Sequence, residues 1–116
     1  VMKIKETNPI EYWKYIRIGK AKKVLEDYEG AIEAYTKAID INENKYNAYF
    51  YRGNVYSLKK DHDHSIKDYT EALKRKKSKF CTEIILEKRA KEFFKKSEYG
   101  KALIDLNDIS PKKKLL

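Results

Sequence analysis

The chain has little of what would place it in several common protein classes. Its 116 residues include one cysteine, two prolines and four glycines. Because Cys81 has no partner for an internal disulfide, the composition favours a reducing compartment, and the cytoplasm is the expected location. With so few prolines and glycines and 41% hydrophobic residues, the chain is expected to fold and not to act as a disordered linker.

Long apolar runs are also missing. No segment approaches the roughly twenty apolar residues that a membrane-spanning helix needs. The N-terminal segment VMKIKETNPIEYW lacks the apolar core of a signal peptide. Since the length is too short for two ordinary globular cores, we expect one soluble, cooperative unit.

Charge, in contrast, is abundant: 39% of the residues are charged and the formal net charge is +9. Most of the basic excess lies in residues 46–116. Such a field favours acidic partners. Lysines greatly outnumber arginines, however, and lysine is a general solubilising residue, whereas planar arginine is preferred for recognising phosphates and bases.

Three segments of the chain repeat one pattern. DYEGAIEAYTKAID begins at Asp27, DHDHSIKDYTEALK at Asp61 and SEYGKALIDLNDIS at Ser97. The second copy follows the first after 34 residues and the third follows the second after 37, with the extra three residues near 80–82. The phase predicts a lead-in and the start of the first helix at 1–11, and repeats at 12–45, 46–82 and 83–116.

Each repeat carries two helical patterns. Apolar residues at 31, 32, 35, 38 and 39 follow the spacing of one helix face, and Asn8 before Pro9 is typical of a helix start. We predict helices at 9–25, 29–41, 46–59, 63–75, 81–96 and 99–109. Gly19, Gly53 and Ala90 fall in mid-helix, where a small residue allows a partner helix to approach closely.

This pattern resembles the tetratricopeptide repeat (TPR), over residues 12–116. The matching small, aromatic and alanine positions are Gly19, Ala31, Tyr35 and Ala38, then Gly53, Tyr56, Ser65, Tyr69 and Ala72, then more loosely Ala90, Phe93, Ala102, Leu106 and Ile109. The chain departs from the family where Lys22 replaces an aromatic residue, where Glu43 and Lys77 replace a proline, and where Pro111 comes early.

The resemblance implies an all-α fold: an α-solenoid of three antiparallel helix-turn-helix units in a right-handed superhelix. The first helix of each unit would face a concave groove that holds a partner segment with apolar and acidic side chains, and the chain would be a non-catalytic scaffold or adaptor without a cofactor. The implied groove residues are Trp13, Ile16, Arg17, Lys20, Asn47, Phe50, Tyr51, Asn54, Ile84, Glu87, Lys88 and Lys91. For Trp13 and Phe50, packing against a neighbouring helix is the alternative role.

Three alternative functions follow from single features. A co-chaperone adaptor that holds acidic chaperone C-termini needs a carboxylate clamp, but its positions read Ile16, Lys20, Tyr51, Ile84 and Lys88, and only Lys88 fits. The basic runs at 74–79 and 112–114 suit nucleic acid, although a solvated cluster at a helix end explains the first run better. Self-association could use the apolar face around Leu103, Leu106 and Leu115.

Catalysis and metal binding find little support. Asp61, His62, Asp63 and His64 lie in one turn without the further ligands of a closed metal site, and His62 takes the repeat position of Tyr28 and Tyr99. Cys81 beside Phe80 is expected to be a buried, inert thiol. No nucleophile, phosphate-loop or paired acid–base signature is present, so we expect no enzyme activity.

Overall fold

The computed structural model describes residues 7–111, in which all regular structure is helical and no strand occurs. Six helices follow one another along the chain. Their bounds are α1 Pro9–Val24, α2 Tyr28–Ile41, α3 Tyr46–Leu58, α4 His62–Leu73, α5 Lys79–Lys95 and α6 Tyr99–Asn107. Every end lies within two residues of its predicted position, and the all-α fold class is confirmed.

The helices pack as three consecutive hairpins. α1 packs against α2, α3 against α4 and α5 against α6, while contacts of α2 with α3 and of α4 with α5 join neighbouring hairpins. The Cα radius of gyration is 15.6 Å, whereas a compact domain of this length has a radius of about 13 Å. The hairpins are therefore stacked in a row. Within residues 7–111 no helix is both long and apolar enough to cross a bilayer.

Polar side chains define most helix starts. Asn8 Oδ1 accepts the amide of Glu11 at 3.1 Å, as expected for an N-cap followed by proline. Asp27 and Asp61, which are 34 residues apart, cap α2 and α4 in the same way, and Ser78 caps α5. Glu98 takes the corresponding place before α6, but its side chain makes no capping bond. The third hairpin thus lacks one local stabilising contact that the first two have.

The turn inside each hairpin has one repeated backbone geometry. Glu26, Lys60 and Ser97 have φ values of 62°, 62° and 60°, in the left-handed region. In the first turn the amide of Asp27 donates to the carbonyl of Lys22 at 2.8 Å, and equivalent bonds close the other two turns. This six-residue closure is the Schellman motif, although none of the three left-handed residues is glycine.

Close helix approach at the glycines explains how the first two hairpins pack. A Cβ atom built on Gly19 would lie 2.6 Å from Cζ of Tyr35, and one on Gly53 would lie 2.9 Å from Cε1 of Tyr69. Both distances are far below van der Waals contact, so the tyrosine rings occupy the space that a side chain would need. The facing small residues are buried as well: Ala31, Ala38, Ser65, Ala72, Ala90 and Ala102.

Two buried clusters join the hairpins. The first links α1 and α2 to α3 through Tyr12, Ile16, Ala31, Tyr35, Ala38, Ala48 and Val55. The second links α3 and α4 to α5 through Tyr49, Tyr69, Ala72 and Ile85. Each hairpin therefore covers its apolar face with the next one, as in other repeat arrays.

The last helix keeps apolar residues exposed on its outer side. Leu103 is 58% exposed and Leu106 is 46% exposed. Leu115 and the basic run at 112–114 lie outside the described residues. Self-association through this face stays a prediction.

The basic run at 74–79 makes contacts within the protein. The Arg75 guanidinium donates to the carbonyl of Glu43 at 2.7 Å and to the carboxylate of Glu71 at 2.8 Å, and it lies over the ring of Tyr49. Lys77 donates to the carbonyl of Leu73 near the end of α4. These two cations close a helix end, so they are less available to an external polyanion than the sequence suggests.

Candidate functional site

A groove runs along the exposed face of α3, between α1 and α5. Three cavities follow one another in it, because Tyr51 lines the first and the second and Asn54 lines the second and the third. We call this continuous surface the α3 groove. Its lining residues are Lys20, Lys23, Val24, Tyr35, Tyr46, Phe50, Tyr51, Asn54, Ser57, Leu58, Tyr69, Cys81, Ile84, Ile85, Lys88, Lys91, Glu92 and Lys95.

One end of the groove, which we call the aromatic end, is mostly apolar. It is a cavity of about 200 Å³ lined by Tyr46, Phe50, Tyr51, Cys81, Ile84 and Ile85. The ring centroid of Phe50 lies 5.5 Å from that of Tyr51 and 6.1 Å from that of Tyr69, so the rings support one another. A concave aromatic surface of this kind suits an apolar side chain of a partner.

The middle of the groove combines an aromatic wall with a cation. Its cavity of about 270 Å³ is lined by Lys20, Lys23, Val24, Tyr35, Tyr51 and Asn54. Lys20 Nζ lies 4.3 Å from the ring centroid of Tyr51, in a cation–π contact that holds the ammonium group at the cavity edge.

The other end, which we call the basic end, is a cavity of about 230 Å³. Its lining residues are Lys23, Asn54, Ser57, Leu58, Tyr69, Lys88, Lys91, Glu92 and Lys95. Four of these are lysines and one is a carboxylate. The lysines come from α1 and α5, on opposite sides of α3, so their charges converge on the same space.

The single carboxylate at the basic end is already engaged in the protein. Glu92 is 2% exposed. It accepts from Ser57 Oγ at 3.2 Å and from Lys95 Nζ at 3.4 Å, and it is hydrogen-bonded to Nδ1 of His62 at 2.9 Å. This network joins the second hairpin to the third through polar contacts.

Cys81 differs from its predicted state. It is half-buried and lines the aromatic end, so the prediction of a buried, inert thiol is wrong. Hydrogen bonds with Ser78 and with the hydroxyl of Tyr46, 3.2 Å from the sulfur, lower the pKa of the Cys81 thiol. A thiol at a helix start with such partners is more reactive than a core cysteine. Tyr46 lies 35 positions away in sequence, so local sequence gave no sign of it.

Comparison with protein families assigns the fold. A family model described as "TPR repeat" matches residues 19–60, and one described as "Tetratricopeptide repeat" matches residues 46–79. Together they span more than half of the chain. The protein belongs to the TPR family. TPR units are generally non-catalytic modules that bind protein partners and can self-associate.

Solved structures agree with this assignment. A crystal structure of MamA superposes with a TM-score of 0.78 at 22% sequence identity, covering 84% of this chain. The chain spans 55% of the MamA chain, about half its length. At this identity the likeness shows the TPR fold alone. Comparison with curated proteins gives no match.

The TPR groove positions predicted from sequence separate into three groups. The α3 groove brings together six or more of them, contributed by all three first helices: Lys20, Phe50, Tyr51, Asn54, Ile84, Lys88 and Lys91. Trp13 and Arg17 instead line a separate cavity on the outer face of α1 with Ile10 and Ile18. Asn47 and Glu87 line none of these cavities.

Ile16 is a correction to the predicted groove. It is 1% exposed and belongs to the first core cluster, packed among Tyr12, Ala31 and Ala48. A side chain with no accessible surface cannot contact a partner. The cause is that the second hairpin covers this part of α1.

Several groove residues were missed in the sequence. Lys23 lies three residues after Lys20, and Lys95 lies four after Lys91, so each follows a predicted groove lysine by one helical turn. Helical spacing alone would have found both. Ser57 gave no comparable signal.

A repeated ion pair was missed too. Arg52 donates through Nε and Nη2 to the Asp68 carboxylate, both at 2.8 Å, and through Nη1 to Thr36 Oγ1 at 3.0 Å. Arg89 repeats this arrangement with Asp105 and Thr70. In both pairs the aspartate follows the arginine by 16 residues, which is a signal visible in the sequence.

The two histidines contact different carboxylates. His62 meets Glu92, whereas His64 Nδ1 lies 2.7 Å from Asp61 and its ring stacks on Tyr56 at 5.0 Å. Among residues 7–111 no group of three potential metal ligands comes together.

Proposed function

We propose that the α3 groove binds an extended or helical segment of a partner protein. The observation that carries the proposal is the continuity of the groove across all three hairpins, with an aromatic end and a basic end. An apolar side chain would be held near Phe50, and acidic groups would lie near Lys88 and Lys91. The segment would therefore carry apolar and acidic residues at separate places.

A peptide from a random library, selected on the immobilised protein and labelled for fluorescence anisotropy, tests this proposal. Loss of a buried aromatic anchor costs about 2 kcal/mol, so Phe50→Ala should raise Kd roughly 30-fold. Ile104→Ala, which truncates an exposed apolar residue of α6, is the matched control and should bind normally. Circular dichroism of both variants checks that the fold is kept.

Capping Cys81 gives an independent readout, because the thiol lies in the aromatic end. Reaction with N-phenylmaleimide should block the selected peptide. Charge reversal of Lys88 and Lys91 to Glu should weaken an acidic peptide, whereas reversal of Lys37 and Lys101, outside the groove, should not. A peptide that still binds after both Phe50→Ala and Cys81 capping would place the binding site elsewhere.

A further inference from the structure

The basic end of the α3 groove carries an excess of positive charge that the protein itself does not neutralise. Lys91 pairs with Glu87 at 3.3 Å on the exposed surface of α5, and Lys95 with Glu92 at 3.4 Å. Within residues 7–111, Lys23 and Lys88 have no carboxylate within 4.0 Å. Exposed pairs of this kind are weak, so the cavity stays electropositive.

The neutral polar groups at this end also present donors. Burial raises the pKa of Tyr69, so its hydroxyl stays protonated and donates to Asn54 Oδ1 at 2.5 Å. Because the amide oxygen of Asn54 is taken, its two N–H groups are left to face the cavity. The one acidic acceptor, Glu92, is covered by Ser57, His62 and Lys95.

We infer that the basic end of the α3 groove binds a phosphoryl group on the partner segment, a phosphoserine or phosphothreonine. This inference rests on the proposed function for its source of phosphate. The lysines of α1 and α5 and the Asn54 amide would surround the group, while the aromatic end would hold a neighbouring apolar side chain.

Charge favours a phosphoryl group over a carboxylate. Four lysines and one carboxylate line the cavity. A phosphorylated side chain carries about −1.5 to −2 charges at pH 7 and three acceptor oxygens, whereas a carboxylate carries one charge. Lysines approach phosphate as mobile point charges, so ammonium groups from two sides can each reach a different oxygen.

Inorganic phosphate is the first probe. Titrating the isotope-labelled protein with phosphate at constant ionic strength should give saturable NMR shifts of the Asn54 side-chain amide and of the backbone near Ser57 and Lys88. Acetate under the same conditions should bind at least tenfold more weakly. Equal binding of both anions, or shifts that do not saturate, would overturn the inference.

Variants then locate the site. Lys88→Gln combined with Lys95→Gln should weaken phosphate binding at least tenfold, whereas Lys37→Gln with Lys101→Gln, which removes the same charge elsewhere, should leave it unchanged. Equal loss in both double variants would indicate a general charge effect. A single-stranded oligonucleotide that displaces phosphate with a steep salt dependence would show a polyanion surface instead.

The selected peptide distinguishes the source of the phosphate. Phosphoserine placed at successive positions should increase affinity at least tenfold at one position, and Phe50→Ala should still weaken that peptide. Phosphate binding without any such gain would overturn the assignment to a partner segment. Failure of phosphate with intact peptide binding rejects this inference alone, and loss of peptide binding with intact phosphate binding rejects the proposed function alone.

Discussion

The first hairpin places Ile18 and Ala34 where the second places Arg52 and Asp68, 34 residues later. Asp68 has a side chain only 4% exposed and is paired with Arg52. Since the first hairpin closes with an apolar pair at the same positions, the ion pair is not needed to close a hairpin. What it adds is a bond to Thr36 of the preceding hairpin, at 3.0 Å.

Energetics explain why both solutions work. Burial raises the pKa of Asp68, and the hydrogen bonds from Arg52 oppose that shift. Burial alone would lower the pKa of Arg52, but its bonds with Asp68 raise it. Desolvation and pairing therefore largely offset each other, and a buried pair of this kind adds little net stability over apolar residues of similar size.

Removing one partner should give the largest effect. Arg52→Ala leaves the Asp68 carboxylate buried without its guanidinium, and the free energy of unfolding should fall by about 3 kcal/mol. The double variant Arg52→Ile with Asp68→Ala copies the first hairpin and should lie within about 1 kcal/mol of the wild type. Urea denaturation measures both. Equal destabilisation of the single and double variants would show that the two solutions are not interchangeable.

The glycine contacts offer a second comparison between the hairpins. Gly19→Ala forces its Cβ against the ring of Tyr35 and should destabilise by about 1 to 3 kcal/mol, despite the better helix propensity of alanine. Gly53→Ala should cost less, because its nearest ring atom is farther away. Thermal unfolding ranks the two. The order Gly53 before Gly19 would contradict the role assigned to these contacts.

The third hairpin should be the easiest to improve. Glu98 stands where Asp27 and Asp61 cap their helices, but its longer side chain makes no capping bond. Glu98→Asp should stabilise the protein by about 1 kcal/mol, provided that the shorter side chain reaches the amide three residues on. Asp61→Glu is the reciprocal change and should destabilise by a similar amount. Urea denaturation of the pair tests the comparison.

Much of the fold was predictable because the same residue types recur at fixed spacing. Asn8 with Pro9 marked the first helix start, and Gly19, Gly53 and Ala90 marked the three close approaches before any coordinates were consulted. These features depend on neighbours within one hairpin. Local pattern was therefore sufficient for the six helices.

The candidate site was harder to predict because it depends on how hairpins cover one another. Ile16 has a groove position by family pattern, yet the next hairpin buries it. Cys81 meets Tyr46 across 35 positions, and Glu92 meets His62 across 30. Helical periodicity contains no information on such contacts. The Arg52–Asp68 pair could have been found from its repetition at Arg89 and Asp105, had charged residues not been assigned to the surface.

The three left-handed turns have a consequence for how the array winds. Each closes through the same pair of backbone bonds, whether the residue at its apex is Glu26, Lys60 or Ser97. The angle at which a chain reverses is thus inherited from backbone geometry, copy after copy, while side chains vary freely around it. Curvature in this molecule is a property of its corners, and evolution can redecorate the inner wall without bending the staircase.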